Sequence, residues 1–183
     1  MDIQKTLALH CSSVLLRKKP AALFSMPHDS LRSEEWNQAL SHYGLEHKTL
    51  CDRCDHALVL VYDAEMLRKL LAAEAVRQPL ERLGYQADWP LETRLDHLKR
   101  RVSDTDGDFP HEIGFFLGYP AEDVLGFMRH KGKHCKHCGL WKVYGDVPRA
   151  MAMFEEFHAC RRQVLHHLEN GGSLYDLPSE WAV

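Results

Sequence analysis

The sequence predicts a single α+β domain, with a small antiparallel sheet covered by helices. Three observations carry that expectation. The first third alternates between short apolar segments of strand type and one helical stripe. From Asp63 onward apolar residues recur at helical spacing. Near Cys138 a cysteine knuckle leads back into a strand before a long final helix. Sheet strands are expected near residues 20–26, 46–51, 56–62 and 139–144, and the opening β-α-β-β-α order is compatible with a ferredoxin-like start. The domain is read as residues 1–183, divided into a strand-rich part (1–62), a helical part (63–137), a strand plus long helix (138–171) and a tail (172–183) laid on the surface.

In chain order, Pro20 leads into the first strand and Pro27 ends it. Ser33 is placed to cap a helix whose Trp36, Ala39, Leu40 and Tyr43 share a face, and Gly44 to stop it. The next two strands, 46–50 and 56–62, flank the connector C-D-R-C-D, which puts Cys51 and Cys54 at a hairpin tip. Met66, Leu67, Leu70, Leu71 and Ala75 form a helical stripe that Pro79 is expected to break or kink before the Gly84 stop. Leu91, Leu95, Leu98 and Val102 mark another amphipathic helix. Two short helices, 110–117 and 121–130, are joined by Gly118-Tyr119-Pro120. Asp146 is placed to cap the final helix, Pro148 lies in its first turn, and Met153, Phe157, Cys160, Val164 and Leu168 form its inner stripe up to Gly171.

Composition bounds the function classes. A net charge of −3 does not favour general nucleic-acid binding, although the 13 histidines make the charge strongly pH-dependent near neutrality. No apolar run approaches the roughly 20 residues of a membrane span, and the N-terminal stretch lacks the order of a secretion signal. The expected location is therefore the cytoplasm, where cysteines serve as metal ligands or reduced thiols rather than disulfides.

Cysteine spacing is the sharpest chemical signal. Cys135 and Cys138 stand in C-x-x-C-G, and Cys51 and Cys54 repeat the spacing upstream. Two such pairs suit a closed tetrahedral thiolate site for zinc, with iron as the alternative, and Gly139 could supply a positive φ after the second ligand. One shared ion would require the hairpin tip and the knuckle to lie side by side. His130, His134 and His137 could supplement these ligands. A thiol-redox reading of C-K-H-C is disfavoured because no helix opens after the pair to stabilise a thiolate. D-T-D-G-D at 104–108 fails as a calcium loop, since Phe115 stands where the closing glutamate belongs. Cys11 and Cys160 read as small buried side chains.

Two other functions were open. An enzyme could use His111, Glu112 and Cys138 around a small molecule, although Glu112 is more plainly a carboxylate in the first turn of a helix. A DNA-binding regulator could use the helix pair at 110–130 as a helix-turn-helix. Its second helix, however, begins P-A-E-D, placing carboxylates where phosphates would approach.

The stretch H-E-I-G-F-F-L-G-Y-P-A-E-D-V-L-G-F from His111, followed by C-G-L-W-K-V-Y-G-D from Cys138, resembles a bacterial domain-of-unknown-function family found mostly in anaerobes. The resemblance extends to H-C-S-S-V-L-L-R-K-K-P-A-A-L-F-S from His10 and to the Cys160-Arg161 pair, and so covers nearly the whole chain. It implies a tie to iron or redox homeostasis, with a redox or iron-handling protein as partner. The resembling pattern includes Cys11 and Cys138 but not Cys135 or the Cys51–Cys54 pair, so a four-cysteine site would be particular to this chain. The leading expectation is a cytoplasmic metal-binding accessory protein.

Overall fold

A computed structural model describes residues 2–53, 55–103 and 109–182. Cys54 and the acidic loop at 104–108 lie outside the described residues, and with them one of the four expected thiol ligands. The chain forms two compact units, Met1–Ala64 with Glu156–Val183, and Glu65–Glu155.

The first unit opens with a helix, α1 (Ile3–Leu15), in a stretch where the sequence signalled no element. Its start is chemically ordinary. The Asp2 side chain accepts the Lys5 N–H at 2.9 Å, and Leu7, Cys11, Val14 and Leu15 fall on one buried face. Arg17, at φ +54°, turns the chain into β1 (Ala21–Pro27). After the single turn α2 (His28–Leu31), Ser33 caps α3 (Glu34–Tyr43) by accepting the Trp36 N–H, and Gly44 at φ +62° ends it. Then come β2 (Glu46–Arg53) and β3 (His56–Tyr62).

The sheet order is β1-β3-β2, with β3 antiparallel to both neighbours. Helices α2 and α3 therefore connect two outer strands across a gap that β3 fills. This is the split β-α-β arrangement on which ferredoxin-like folds are built. Ala22, Phe24, Met26, Ala57, Val59 and Val61 share the face that packs with α1 and α3, around a fully buried Trp36. Between Thr49 and Cys51 the register of β2 shifts against β3, leaving Leu50 as an extra, buried residue. Because β2 runs on to Arg53, Cys51 lies inside the ladder instead of at the hairpin tip, and the shift pairs it with Leu58, on the sheet face opposite Val59 and Val61.

The second unit is mostly helical. Helices α4 (Ala64–Ala72) and α5 (Glu74–Arg82) replace the single stripe, but the break falls at the extended Ala73, and Pro79 lies within α5. Proline's fixed φ is helical, and at that place it removes only the hydrogen bond to the Ala75 carbonyl. Gly84 stops the helix at φ +92°. In α6 (Leu91–Ser103) Leu95, Leu98 and Val102 are buried, as the periodicity predicts. Arg94 pins the preceding loop by donating to the carbonyls of Leu71, Ala87 and Trp89. Next come α7 (Ile113–Phe116), α8 (Ala121–His130), β4 (His137–Cys138) and β5 (Lys142–Val143).

The fourth strand expected at 139–144 does not join the sheet. It is reduced to a two-residue ladder between β4 and β5, because the N–H groups of Tyr144 and Gly145 bond to the Asp123 carboxylate. Asp146 caps α9 (Val147–Glu169) by accepting the Arg149 N–H, and Gly171 follows its end at φ +84°. Phe157, Cys160 and Val164 are buried, and Phe154 is buried with them. The tail is fixed more firmly than a surface segment. Leu174 is fully buried, and its N–H and the Ser173 hydroxyl both donate to Gln4 Oε1 at 2.9 Å.

Three histidines give the fold a defined pH response. Burial holds the imidazoles of His10, His47 and His97 below their ordinary value; Arg161 adds to the effect at His10, and Arg100 and Arg101 add to it at His97. His47 also accepts the Trp36 indole N–H at Nδ1, a bond that a proton on that nitrogen would break. The folded state thus prefers neutral rings, while the unfolded chain takes up protons near pH 6.5. Stability is full above that pH and falls as pH drops through it. The urea midpoint should be lower at pH 5.5 than at pH 7.5, and His47→Gln should flatten part of the difference. Equal midpoints for the native chain would contradict the sign.

Candidate functional site

The second unit carries the site, and its frame is built from close approaches between helices and turns. Gly118, at φ +76°, reverses the chain after α7, and the Pro120 carbonyl accepts the N–H groups of Asp123 and Val124 to start α8. At Gly114 an added Cβ would lie 2.9 Å from Val124 and 3.3 Å from Tyr119. At Gly126 it would lie 2.4 Å from the Tyr144 side chain, and at Gly145 it would lie 2.2 Å from Glu122. Lys131 and Gly132 end α8 with positive φ, and His134, also at positive φ, turns the chain into β4.

Asp123 joins these pieces. Its carboxylate is 2% exposed, yet it accepts three hydrogen bonds: the Trp141 indole N–H at 2.8 Å, the Tyr144 N–H at 2.7 Å and the Gly145 N–H at 2.8 Å. A buried carboxylate is tolerated when donors replace the lost water, and here both oxygens are supplied. Trp141 is thereby fixed against Tyr119, with ring centroids 4.6 Å apart and planes 24° apart, and edge-on to Phe154 at 4.4 Å.

These rings border a pocket of about 370 Å³, lined by His111, Ile113, Gly114, Tyr119, Asp123, Val124, Phe127 and the segment Cys138–Lys142. Burial raises the Tyr119 hydroxyl above the ordinary phenol value. At the rim the Lys142 ammonium donates to the Gly132 carbonyl at 2.6 Å and lies 5.9 Å from the centre of the Phe127 ring.

His111 and Cys138 both reach this pocket, but Glu112 does not. The carboxylate of Glu112 is 1% exposed and pairs with Arg101, with the Tyr85 hydroxyl donating to the same oxygen at 3.5 Å. The three-residue pocket is corrected to two. Glu112 precedes α7 and faces α6, so its role is to hold that helix. His111 and Cys138 share no hydrogen bond among the described residues, and His111 instead sets its ring edge-on to Phe127. A helix-turn-helix is also poorly served: α7 has four residues, and the acidic start of α8 is bound up with Trp141 and the following turn.

The cysteines divide between the units. Cys135 is half-buried and Cys138 exposed, both as free thiols, and Cys51 is a free, half-buried thiol on β2. Gly139 does not adopt positive φ; it leaves room for Phe154, whose ring an added Cβ would meet at 2.2 Å. Beside the knuckle the Tyr144 ring stacks on His130 with planes 9° apart, and its hydroxyl is raised by burial and by the nearby Cys135 and Cys138. Among the described residues no group of three or more His, Cys, Asp or Glu side chains is arranged to hold a metal ion. The four-thiol set includes Cys54, which lies outside the described residues, whereas Cys135, His137 and Cys138 lie within them and do not form such a group. Cys11 is fully buried and Cys160 buried, as small core side chains.

Sequence reasoning passed over Asp123, Tyr119 and Lys142. All three lie within the stretches that carry the family resemblance, and the acidic opening of α8 marks Asp123, whose partners are the distant Trp141, Tyr144 and Gly145.

Fold and site together define a mixed α+β protein with a three-stranded antiparallel sheet and a ring-lined pocket beside a cysteine knuckle. The chain belongs to the family described as "Protein of unknown function (DUF3793)", whose model matches residues 7–178. Comparison with curated proteins and with solved structures gave no match. Among the described residues no helix is long and apolar enough to cross a membrane.

Proposed function

We propose that this protein binds zinc, or alternatively iron, through Cys51, Cys54, Cys135 and Cys138, and acts in the cytoplasm as an accessory to iron or redox handling rather than as an enzyme. The observation that carries the reading is the state of the 135–138 knuckle. Both thiols are free, and the β4–β5 ladder that carries Cys138 is braced by Asp123 through Tyr144 and Gly145. A thiolate pair on a rigid base loses little entropy when a metal binds, which favours affinity. The family match, over residues 7–178, includes all four cysteines.

The test is elemental analysis of protein purified without an affinity tag. One equivalent of metal is expected, lost from both Cys54→Ser and Cys135→Ser, with thermal stability falling in step because metal binding and folding are linked. Metal retained by Cys54→Ser but lost from Cys135→Ser would confine the site to the knuckle with His137. Metal-free protein of full stability, which acquires none when zinc or ferrous iron is added, would end the reading.

A further inference from the structure

We infer that the pocket between α7, α8 and the 138–142 segment binds a small organic anion with a flat, apolar body. Its volume of about 370 Å³ lies in the range of pockets that enclose a small-molecule ligand. The walls are already arranged for a flat group. Tyr119 and Trp141 are stacked on each other, Phe127 lines the same pocket, and Asp123 locks the Trp141 indole in place. Ordered aromatic walls of this kind bind planar groups with little further loss of side-chain freedom.

The sign of the charge follows from which groups have hydrogen-bonding capacity left. Asp123 lines the pocket, but its oxygens already accept three N–H groups, so its charge is largely answered within the wall. Lys142 is the opposite case. One of its three N–H bonds goes to the Gly132 carbonyl, and the contact with Phe127 uses the ring face, which leaves donors for an incoming oxygen. The His111 imidazole, which lines the same pocket, makes no hydrogen bond among the described residues and can add a second donor. A cation would find aromatic faces but also an ammonium at the rim, so a carboxylate or a similar anion is favoured.

This inference does not rest on metal binding, and its test reads different residues. Three probes share one ring system: 2-naphthoate, naphthalene-2-methanol and 2-naphthylmethylammonium. Each is titrated into the protein as purified, by calorimetry and by the Trp141 indole N–H resonance. Naphthoate should bind about tenfold more tightly than the alcohol, with the ammonium weakest, and should shift the Trp141 signal. Lys142→Met, which keeps the side-chain stem, should abolish the preference for naphthoate over the alcohol while leaving metal content and the circular dichroism spectrum unchanged. Leu140→Asp, at an exposed position on the rim, should weaken naphthoate and not the alcohol. Binding of none of the probes, tightest binding of the ammonium, or a naphthoate preference that survives Lys142→Met would overturn the inference.

Discussion

Asp123→Ala is expected to destabilise the protein by about 3–5 kcal/mol, a drop of roughly 10 °C in melting temperature. The carboxylate is buried and accepts three N–H groups, one from Trp141 and two from the turn that leads into α9. Alanine leaves those donors without a partner in a place that water reaches poorly, and each unsatisfied group carries its own desolvation cost. Asp123→Asn should be milder. Its carbonyl oxygen can still take the Tyr144 and Gly145 N–H groups, but its NH₂ would face the indole N–H, donor against donor. Chemical denaturation followed by Trp141 fluorescence checks the order. An alanine variant within about 1 kcal/mol of the native chain would show that water replaces the carboxylate.

Glu112→Ala is the second large effect, at about 2–3 kcal/mol. The side chain is 1% exposed and pairs with Arg101, so its removal strands the guanidinium that α6 extends toward it. Arg101 is 37% exposed and can turn toward water, which keeps the loss below that of a fully buried pair. Glu112→Gln keeps an acceptor for Arg101 and Tyr85 and should recover part of the stability. Binding of the naphthoate probe should be unchanged in Glu112→Gln, since the residue faces away from the pocket. A variant that kept full stability but lost probe binding would return Glu112 to the site.

Much of the first unit was legible because its signals are local. Ser33 and Gly44 bracket α3, and the apolar run of β3 identifies a central strand. Asp146 and Gly171 bracket α9 in the same way. The bulge at Leu50 was not legible: a register shift depends on how two strands meet, and no residue type announces it. It put Cys51 on the sheet face opposite Val59, while the extension of β2 to Arg53 took it away from the expected tip. The strand expected at 139–144 failed for a related reason. Its alternation is genuine, but a carboxylate on another helix takes the N–H groups that a ladder would need. In the site, Cys138 and His111 were found from residue type, whereas Asp123 and Lys142 act through contacts that spacing along the chain does not reveal.

The glycines of the second unit constrain how this chain can diverge. Gly139 is matched to Phe154, whose ring occupies the volume where a Cβ would stand, and Gly126 is matched to Tyr144, whose Cβ and ring both do. Neither glycine can grow while its partner stays as it is. Sequence drift at Gly139 should therefore occur in linked steps, with the loss of the Phe154 ring preceding any replacement of the glycine, whereas Gly126 stays blocked by the Tyr144 Cβ even when that ring is lost. Chains that have taken the second step at Gly139 would have lost the ring that stands edge-on to Trp141.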